Sequence, residues 1–463
     1  RWRPIASRSA GQCSDSNDRI DTSAVPPIGV AGNVPDSFSS PHDVHVASLA
    51  PPALPPTAAD TDPARWRMLA LLAAGEILGM SLWFTGSAIA PQLQLRWLLS
   101  GSAVGWLTTM VQLGFVAGTA LAALFNLADL IPARRLFAGA AIGGAVANAL
   151  FARAGSFDSA LVLRGLTGFC LAGVYPPAMK MAATWFRARR GLAVGTVVGA
   201  LTIGKATPYL IHALPGLGVE QVVLAASVAA TIAAALIWFG YRDGPYPFPA
   251  RPFSWGLVAS VIGDRNWRLA TGGYLGHMAE LYAFWTWIPA FLLASAAQRT
   301  GVATLASSSS VTFLSFAVIA VGGVGCVWGG LLADRLGRER LVTLAMLVSG
   351  SCAVLIGFAF GASWWILAPV ALVWGVFVIA DSAQFSVLVT ESVPPHAVGT
   401  ALTIQTSLGF LLTTVTIQLV PPVVALVGWR WAFPMLAVGP AFGITSIRAL
   451  ARLRAPQGRA TAT

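Results

Sequence analysis

An all-α integral membrane protein, with about twelve transmembrane helices in two six-helix halves, is the fold class that three features of this 463-residue chain predict. Apolar residues make up 56% of it and charged residues 10%, against roughly 45–50% and about 25% in soluble domains. Apolar runs near the ~20-residue length that crosses a bilayer as a helix follow one another from Met68 onward. Arginine crowds alternate loops between those runs. The net charge of +11 therefore reads as topology: the arginines are spread over short loops, with no basic face or base-reading motif, so nucleic acid is not an expected partner.

In chain order, residues 1–63 are rich in Pro, Ser, Ala and Asp and show no apolar period. They cannot bury enough surface to offset ordering, so a disordered cytoplasmic tail without an assigned function is expected. The stretch lacks the basic start and apolar run of a secretory signal and opens on Arg1 rather than Met, so whether it belongs to the native protein stays open. Six apolar runs follow, at 68–90, 104–125, 136–154, 159–183, 192–214 and 219–239, within a first half bounded at 64–240. The longest internal connection, 241–268, contains Gly244-Pro245-Tyr246-Pro247-Phe248-Pro249 and reads as a cytoplasmic linker. Six more runs, at 269–294, 309–332, 341–360, 364–388, 397–420 and 431–450, make a second half bounded at 269–452, and 453–463 form a short cytoplasmic tail.

The loops fall into two sets by charge. One holds Arg65, Arg67, Arg134, Arg135, Arg187, Arg189, Arg190, Arg242, Arg251, Arg265, Arg268, Arg335, Arg338, Arg340, Arg448, Arg452, Arg454 and Arg459; the other holds only Arg96, Arg153, Arg299 and Arg430. The positive-inside rule then puts both termini in the cytoplasm of a cell-membrane protein. The inside loop from Glu391 to His396 has no Lys or Arg and is an exception. Cys13, Cys170, Cys326 and Cys352 are scattered, without disulfide or metal-ligand spacing.

The densest charge cluster between two apolar runs is Gly330-Leu331-Leu332-Ala333-Asp334-Arg335-Leu336-Gly337-Arg338-Glu339-Arg340. Its arginines cannot enter hydrocarbon and hold the turn at the membrane surface, while Gly330 and Gly337 allow close approach and a sharp turn. About 200 positions earlier stands Phe125-Asn126-Leu127-Ala128-Asp129-Leu130-Ile131-Pro132-Ala133-Arg134-Arg135, and Ala193-Val194-Gly195-Thr196 recurs as Ala397-Val398-Gly399-Thr400. Two echoes at a similar offset point to a duplicated transporter fold. The pattern G-x-L-A-D-R-x-G-R-x-R resembles the loop signature of the major facilitator superfamily, and the resemblance spans residues 66–455. It implies that the Asp of each loop meets the positive start of a helix in the other half, Asp129 the eleventh and Asp334 the fifth. Phe125, Pro132 and Ala133 depart from the pattern, so the first loop is a degenerate copy; Asp129, Arg134 and Arg135 survive.

Ionisable groups inside the spans are few: Glu76, Arg164, Lys205, His277, Glu280 and Asp381. Each costs about 3 kcal/mol or more in hydrocarbon and persists only when paired or facing water. Lys180, near a helix end, reads as snorkelling. Arg164-Gly165-Leu166-Thr167-Gly168 resembles the superfamily's R-x-x-x-G element, which implies proton coupling or an acidic partner; a static salt bridge is the other reading. His277 and Glu280, three residues apart, share one helix face. That face is expected to look into a central cavity, where an imidazole and a carboxyl brought toward neutrality suit proton uptake and release. Aligning Trp83-Phe84-Thr85 with Phe284-Trp285-Thr286 makes Glu76 the counterpart of His277, both lining one cavity. Trp83, Tyr282, Trp285 and Trp287 rank below the charged residues as substrate contacts, since aromatic residues in membrane helices more often pack or anchor. Asp381, with Ser382 and Gln384, forms a polar notch facing a water-filled vestibule or a substrate.

Lys205 follows Gly195, Gly199 and Gly204, without the Gly-Pro pair of the superfamily's drug antiporters, and the arginines of its nitrate porters are missing. No phosphate-binding G-x-x-x-x-G-K loop appears, so an ion gradient, with protons as partner, is the expected energy source, and no cofactor and no enzymatic chemistry are expected. The sequence thus points to a monomeric secondary transporter, in contact with membrane lipid, that moves a small organic anion or polar metabolite with protons by alternating access. The readings beside it are a proton-driven efflux antiporter and a transporter-like membrane sensor.

Overall fold

The computed structural model describes residues 62–186, 189–246, 254–301, 309–394 and 396–455, without the side chains of Ala128, Asp129, Arg190 and Asp334. The expected tail 1–63 lies almost wholly outside these residues. The described chain is helical, with no strand among the described residues. Its helices are α1 (Ala64–Gly79), α2 (Thr85–Ala88), α3 (Ala90–Trp97), α4 (Gly101–Leu124), α5 (Leu127–Leu130), α6 (Ala133–Phe151), α7 (Phe157–Leu171), α8 (Tyr175–Trp185), α9 (Arg190–Ala213) and α10 (Val219–Gly240). After the linker come α11 (Trp255–Gly263), α12 (Arg265–Thr300), α13 (Ser309–Ala320), α14 (Gly322–Leu336), α15 (Arg338–Leu355), α16 (Trp364–Phe377), α17 (Ser382–Thr390), α18 (Val398–Ala432) and α19 (Val438–Arg454).

Each apolar run of the sequence has a helical counterpart. Among the described residues, eight helical stretches are long and apolar enough by themselves to cross a membrane, and the last of them, Val398–Arg454, is of double length and broken at Gly428. The stretches from Ala64, Ala133 and Arg265 complete the series at lower apolarity, with charged residues among their glycines and alanines. Helix starts follow local chemistry: Ser100 accepts from the Ala103 amide, Ser156 and Ser159 form a capping box, and Asp264 accepts from the Trp267 amide at 2.7 Å. Gly301 and Gly337 end their helices with positive φ.

The structure adds three features to the apolar pattern. The first run breaks after Leu82, leaving α2 and α3 as separate pieces. The tenth breaks between Phe377 and Ser382, at Asp381. The linker contains the helix α11, so it is not a plain loop. Its first residues run back over the end of α8, where the Trp185 indole donates to the Arg242 carbonyl at 2.9 Å and the Tyr246 amide to the Thr184 carbonyl at 3.0 Å. Helix pairs pack closely where side chains are small. On α9, a Cβ at Gly199 would lie 2.7 Å from the Gly323 carbonyl oxygen of α14, and one at Gly323 would lie 2.9 Å from that of Gly199. Backbone therefore meets backbone along this pair.

Candidate functional site

Helices α8, α9, α12, α17 and α18, with the broken end of α1, surround a cavity of about 670 Å³ of empty space, its opening included. Trp83, Tyr282, Trp285 and Phe410 form its aromatic wall, and Ser382, Ser386, Gln405 and Thr406 its polar side. Lys205 enters this cavity from α9 although it is buried. Its ammonium donates to the Tyr282 hydroxyl and stands 3.9 Å from the centre of the Trp83 ring, 4.6 Å from Tyr282 and 5.4 Å from Trp285. The π faces compensate part of its charge. An ammonium has three donors, and Tyr282 takes one. Three further donors on lining residues, Trp83 Nε1, Trp285 Nε1 and Gln405 Nε2, are buried without a partner. The lining around Lys205 thus carries donors without acceptors of their own, beside the hydroxyls of the polar side.

Glu76 sits behind that wall. It is fully buried on α1, and neither carboxylate oxygen has a hydrogen-bond partner. At the crossing of α1 and α9, a Cβ at Gly204 would lie 2.8 Å from the Glu76 carbonyl oxygen, which brings the next residue, Lys205, to the same level. Lys205 Nζ donates to the Tyr282 hydroxyl and not to Glu76, whose oxygens have no partner. Glu76 does not line the cavity itself.

Arg164 has carbonyls for partners. Its guanidinium donates to the Leu82 oxygen at 3.1 Å, to the Trp83 oxygen, and to Asn148 Oδ1 at 3.0 Å. Asn148 in turn donates to the Val223 carbonyl and to Ser227, both at 3.0 Å. The carbonyls freed where the first run breaks are thereby satisfied, and no carboxylate pairs with Arg164 among the described residues. Neither the acidic partner nor the static salt bridge expected from the sequence is formed.

His277 and Glu280 do share one helix, but they do not pair and do not look into the cavity. The cavity-lining stripe of α12 is Tyr274, Met278, Leu281, Tyr282 and Trp285. His277 Nδ1 lies 2.9 Å from Asp381 Oδ1, short of hydrogen-bond alignment, and its Nε2 has no partner. Glu280 accepts from Trp374 Nε1 at 2.8 Å and from Ser349 at 2.9 Å, between α12, α15 and α16. The expected shared cavity of Glu76 and His277 is likewise not formed, since the face carrying His277 turns toward the tenth run. Asp381 stands at the break of that run, flanked by the lining residues Ile379 and Ser382. Of the six ionisable candidates, Lys205 alone lines the cavity.

The charged loop is built as a tight turn. Gly337 takes φ +84°, and a Cβ at Gly330 would lie 3.2 Å from the Gly191 carbonyl at the start of α9. The carboxylates of Asp129 and Asp334, the expected locks, lie outside the described side chains. Arg338 pairs with Glu391 at 3.0 Å, and Arg454 reaches Glu339 at 3.1 Å and Glu391 at 3.4 Å. The loop from Glu391, without Lys or Arg of its own, is thus matched by arginines from elsewhere. Arg335 and Arg135 are exposed, and Arg134 donates to the Tyr241 carbonyl at 3.4 Å. The degenerate loop turns differently: Asn126 takes φ +48° and ends the helix before Asp129.

Trp83, Tyr282 and Trp285, ranked low from sequence, stand nearest the buried ammonium, and Gln405 was not singled out at all. The matching Trp83 and Trp285 segments were the signal for the first group. An amide inside an apolar run, as Gln405 is, was the signal for the second.

The sequence matches the Major Facilitator Superfamily over residues 71–417. It is 25% identical to the MFS-type transporter pynF of Aspergillus niger over 264 residues, 56% of this chain and 57% of that protein, so the match spans little more than half the relative's length. The fold is similar to the nucleoside transporter NupG, with a TM-score of 0.64, 15% identity and coverage of 83% of this chain and 99% of that one. It is also similar to a bacterial homolog of the human lysosomal transporter Spinster in an inward-facing and occupied conformation, with a TM-score of 0.61, 14% identity and coverage of 85% and 98%.

Proposed function

The chain belongs to the major facilitator superfamily, and from that premise we propose that it is a secondary transporter of a small organic anion, driven by a proton gradient through alternating access. The observation that carries this reading is the donor-rich wall around Lys205: an ammonium with spare donors, two indoles and an amide without acceptors. Buried donors left unpaired are costly, and a solute bearing carboxylate oxygens supplies what they lack. The aromatic wall suits a flat apolar body on the same solute. Two six-helix halves joined by the linker rock about this site, with both termini on the cytoplasmic face of the cell membrane, where the arginine-rich loops lie. The loop of Gly330, Asp334, Arg335, Gly337 and Arg338, with Asp129, Arg134 and Arg135 in the first half, closes the cytoplasmic side.

Uptake of labelled organic anions into proteoliposomes, with and without an imposed pH gradient, tests the reading. Accumulation only with the gradient acid outside is the expected result. Accumulation with the opposite gradient would make the protein an efflux antiporter. Binding without any flux would make it a sensor.

A further inference from the structure

We propose that Lys205 and Glu76 together form an electroneutral binding site for a planar monocarboxylate and one proton, with Glu76 as the residue that takes the proton when the anion arrives. This rests on the organic-anion reading above and deepens it. Two observations meet here. Lys205 presents an ammonium to the cavity with donors to spare, and Glu76 is a fully buried carboxyl whose oxygens have no donor at all. Counted as an ammonium and a carboxylate, the two side chains cancel in the empty site. From α8, the neighbouring titratable group is Tyr175; α10 presents Ala233 and Ile237 to this part of α1, and α6 presents Phe137, none of which can carry charge.

Charge bookkeeping then fixes the consequence. One cation and one carboxylate sum to zero; adding a solute carboxylate on Lys205 leaves a buried excess of one negative charge. An unpaired charge in low dielectric is strongly disfavoured. A proton on Glu76 restores neutrality, so anion and proton bind together and leave together. No bond is made or broken except the O–H bond on Glu76, and the proton comes from the water that brings the solute. Glu280 lacks this relation: it already accepts from Ser349 and Trp374. His277 Nδ1 stands 2.9 Å from Asp381 Oδ1 instead.

The purified full chain in detergent is titrated with benzoate and with its uncharged isostere benzamide, by calorimetry in buffers of different ionisation enthalpy. We expect benzoate to bind at least about tenfold more tightly than benzamide, with close to one proton taken up. Benzoate affinity should then fall as pH rises, by up to roughly tenfold per pH unit for one linked proton. Glu76→Gln should lose both the proton uptake and the pH slope, with parent-like melting followed by tryptophan fluorescence showing the variant to be folded. Lys205→Met should lose benzoate by about tenfold or more. Benzamide binding as well as benzoate, or no benzoate binding by the parent, would overturn the solute class. Proton uptake that persists in Glu76→Gln would overturn the coupling residue, most directly if it disappears in Glu280→Gln. The transport reading fails separately: benzoate and a proton would bind the parent while no pH gradient drives uptake into proteoliposomes.

Discussion

A buried guanidinium needs acceptors, and Arg164 finds them in two carbonyls released by a helix break and in one amide oxygen. Its geometry makes it a positioning residue for Trp83, whose carbonyl it holds and whose ring lies 3.9 Å from Lys205. Lysine cannot reproduce a planar fork that reaches three acceptors. Arg164→Lys should therefore leave one or two buried acceptors unpaired, at about 1–3 kcal/mol each, and lower the melting temperature while the response to a pH gradient persists. Melting followed by tryptophan fluorescence, with proteoliposome uptake alongside, reads both. Parent-like melting with loss of the gradient response would instead assign Arg164 to coupling. That a charge at position 164 is buried and matters was legible in the sequence. What it binds was not, because carbonyls become acceptors only where a helix breaks, and no residue type announced a break after Leu82.

Helix spans were legible because a bilayer imposes one length and one polarity on every crossing segment, and nearly every expected run coincides with a helix or a pair of helices. The faces were less so. Along α12 the residues from Trp267 to Ala296 are buried almost all round, including His277, Glu280, Tyr282 and Trp285. A helix enclosed on every side has no polar stripe to give its orientation, so a three-residue spacing fixes which residues share a face but not where that face points. Helix pairing left a clearer mark, in the small residues of α9 and α14. Gly199→Leu would drive a branched side chain into the Gly323 carbonyl, where even a Cβ lies 2.7 Å away. Separating these two backbones should cost about 1–3 kcal/mol or more. The cavity wall contributed by Val198 and Leu201 would shift with it. Lower melting together with weaker benzoate binding is the expected pair of results; unchanged melting would show that the two helices already sit further apart.

Across the whole molecule, one end of the cavity is tied by hydrogen bonds and close packing. At the ends of α4 and α18 that the arginine count assigns to the outside, Trp287 Nε1 donates to the Ile417 carbonyl at 2.9 Å, and the Gln418 amide meets the Thr109 hydroxyl at 3.0 Å. A Cβ at Gly105 would lie 3.1 Å from both Gln418 and Trp287. Toward the other end the cavity reaches Val194, Met179 and Ser386, near the arginine-rich loops. Alternating access requires the seal between α4 and α18 to part once in every cycle. Cysteines at Thr109 and Gln418, in a chain cleared of its native cysteines and joined by a short thiosulfonate cross-linker, should hold the seal shut. Exchange of labelled benzoate should then stop and return on reduction. A third cysteine at Ser386 should stay reactive to an impermeant thiol reagent in the cross-linked chain when the reagent is added outside inside-out vesicles, whose cytoplasmic face is exposed, and not when it is added to right-side-out cells. Exchange that continues under cross-linking would mean that α4 and α18 need not separate, and labelling of Ser386→Cys from the outer face would reverse the orientation drawn from the loop charges.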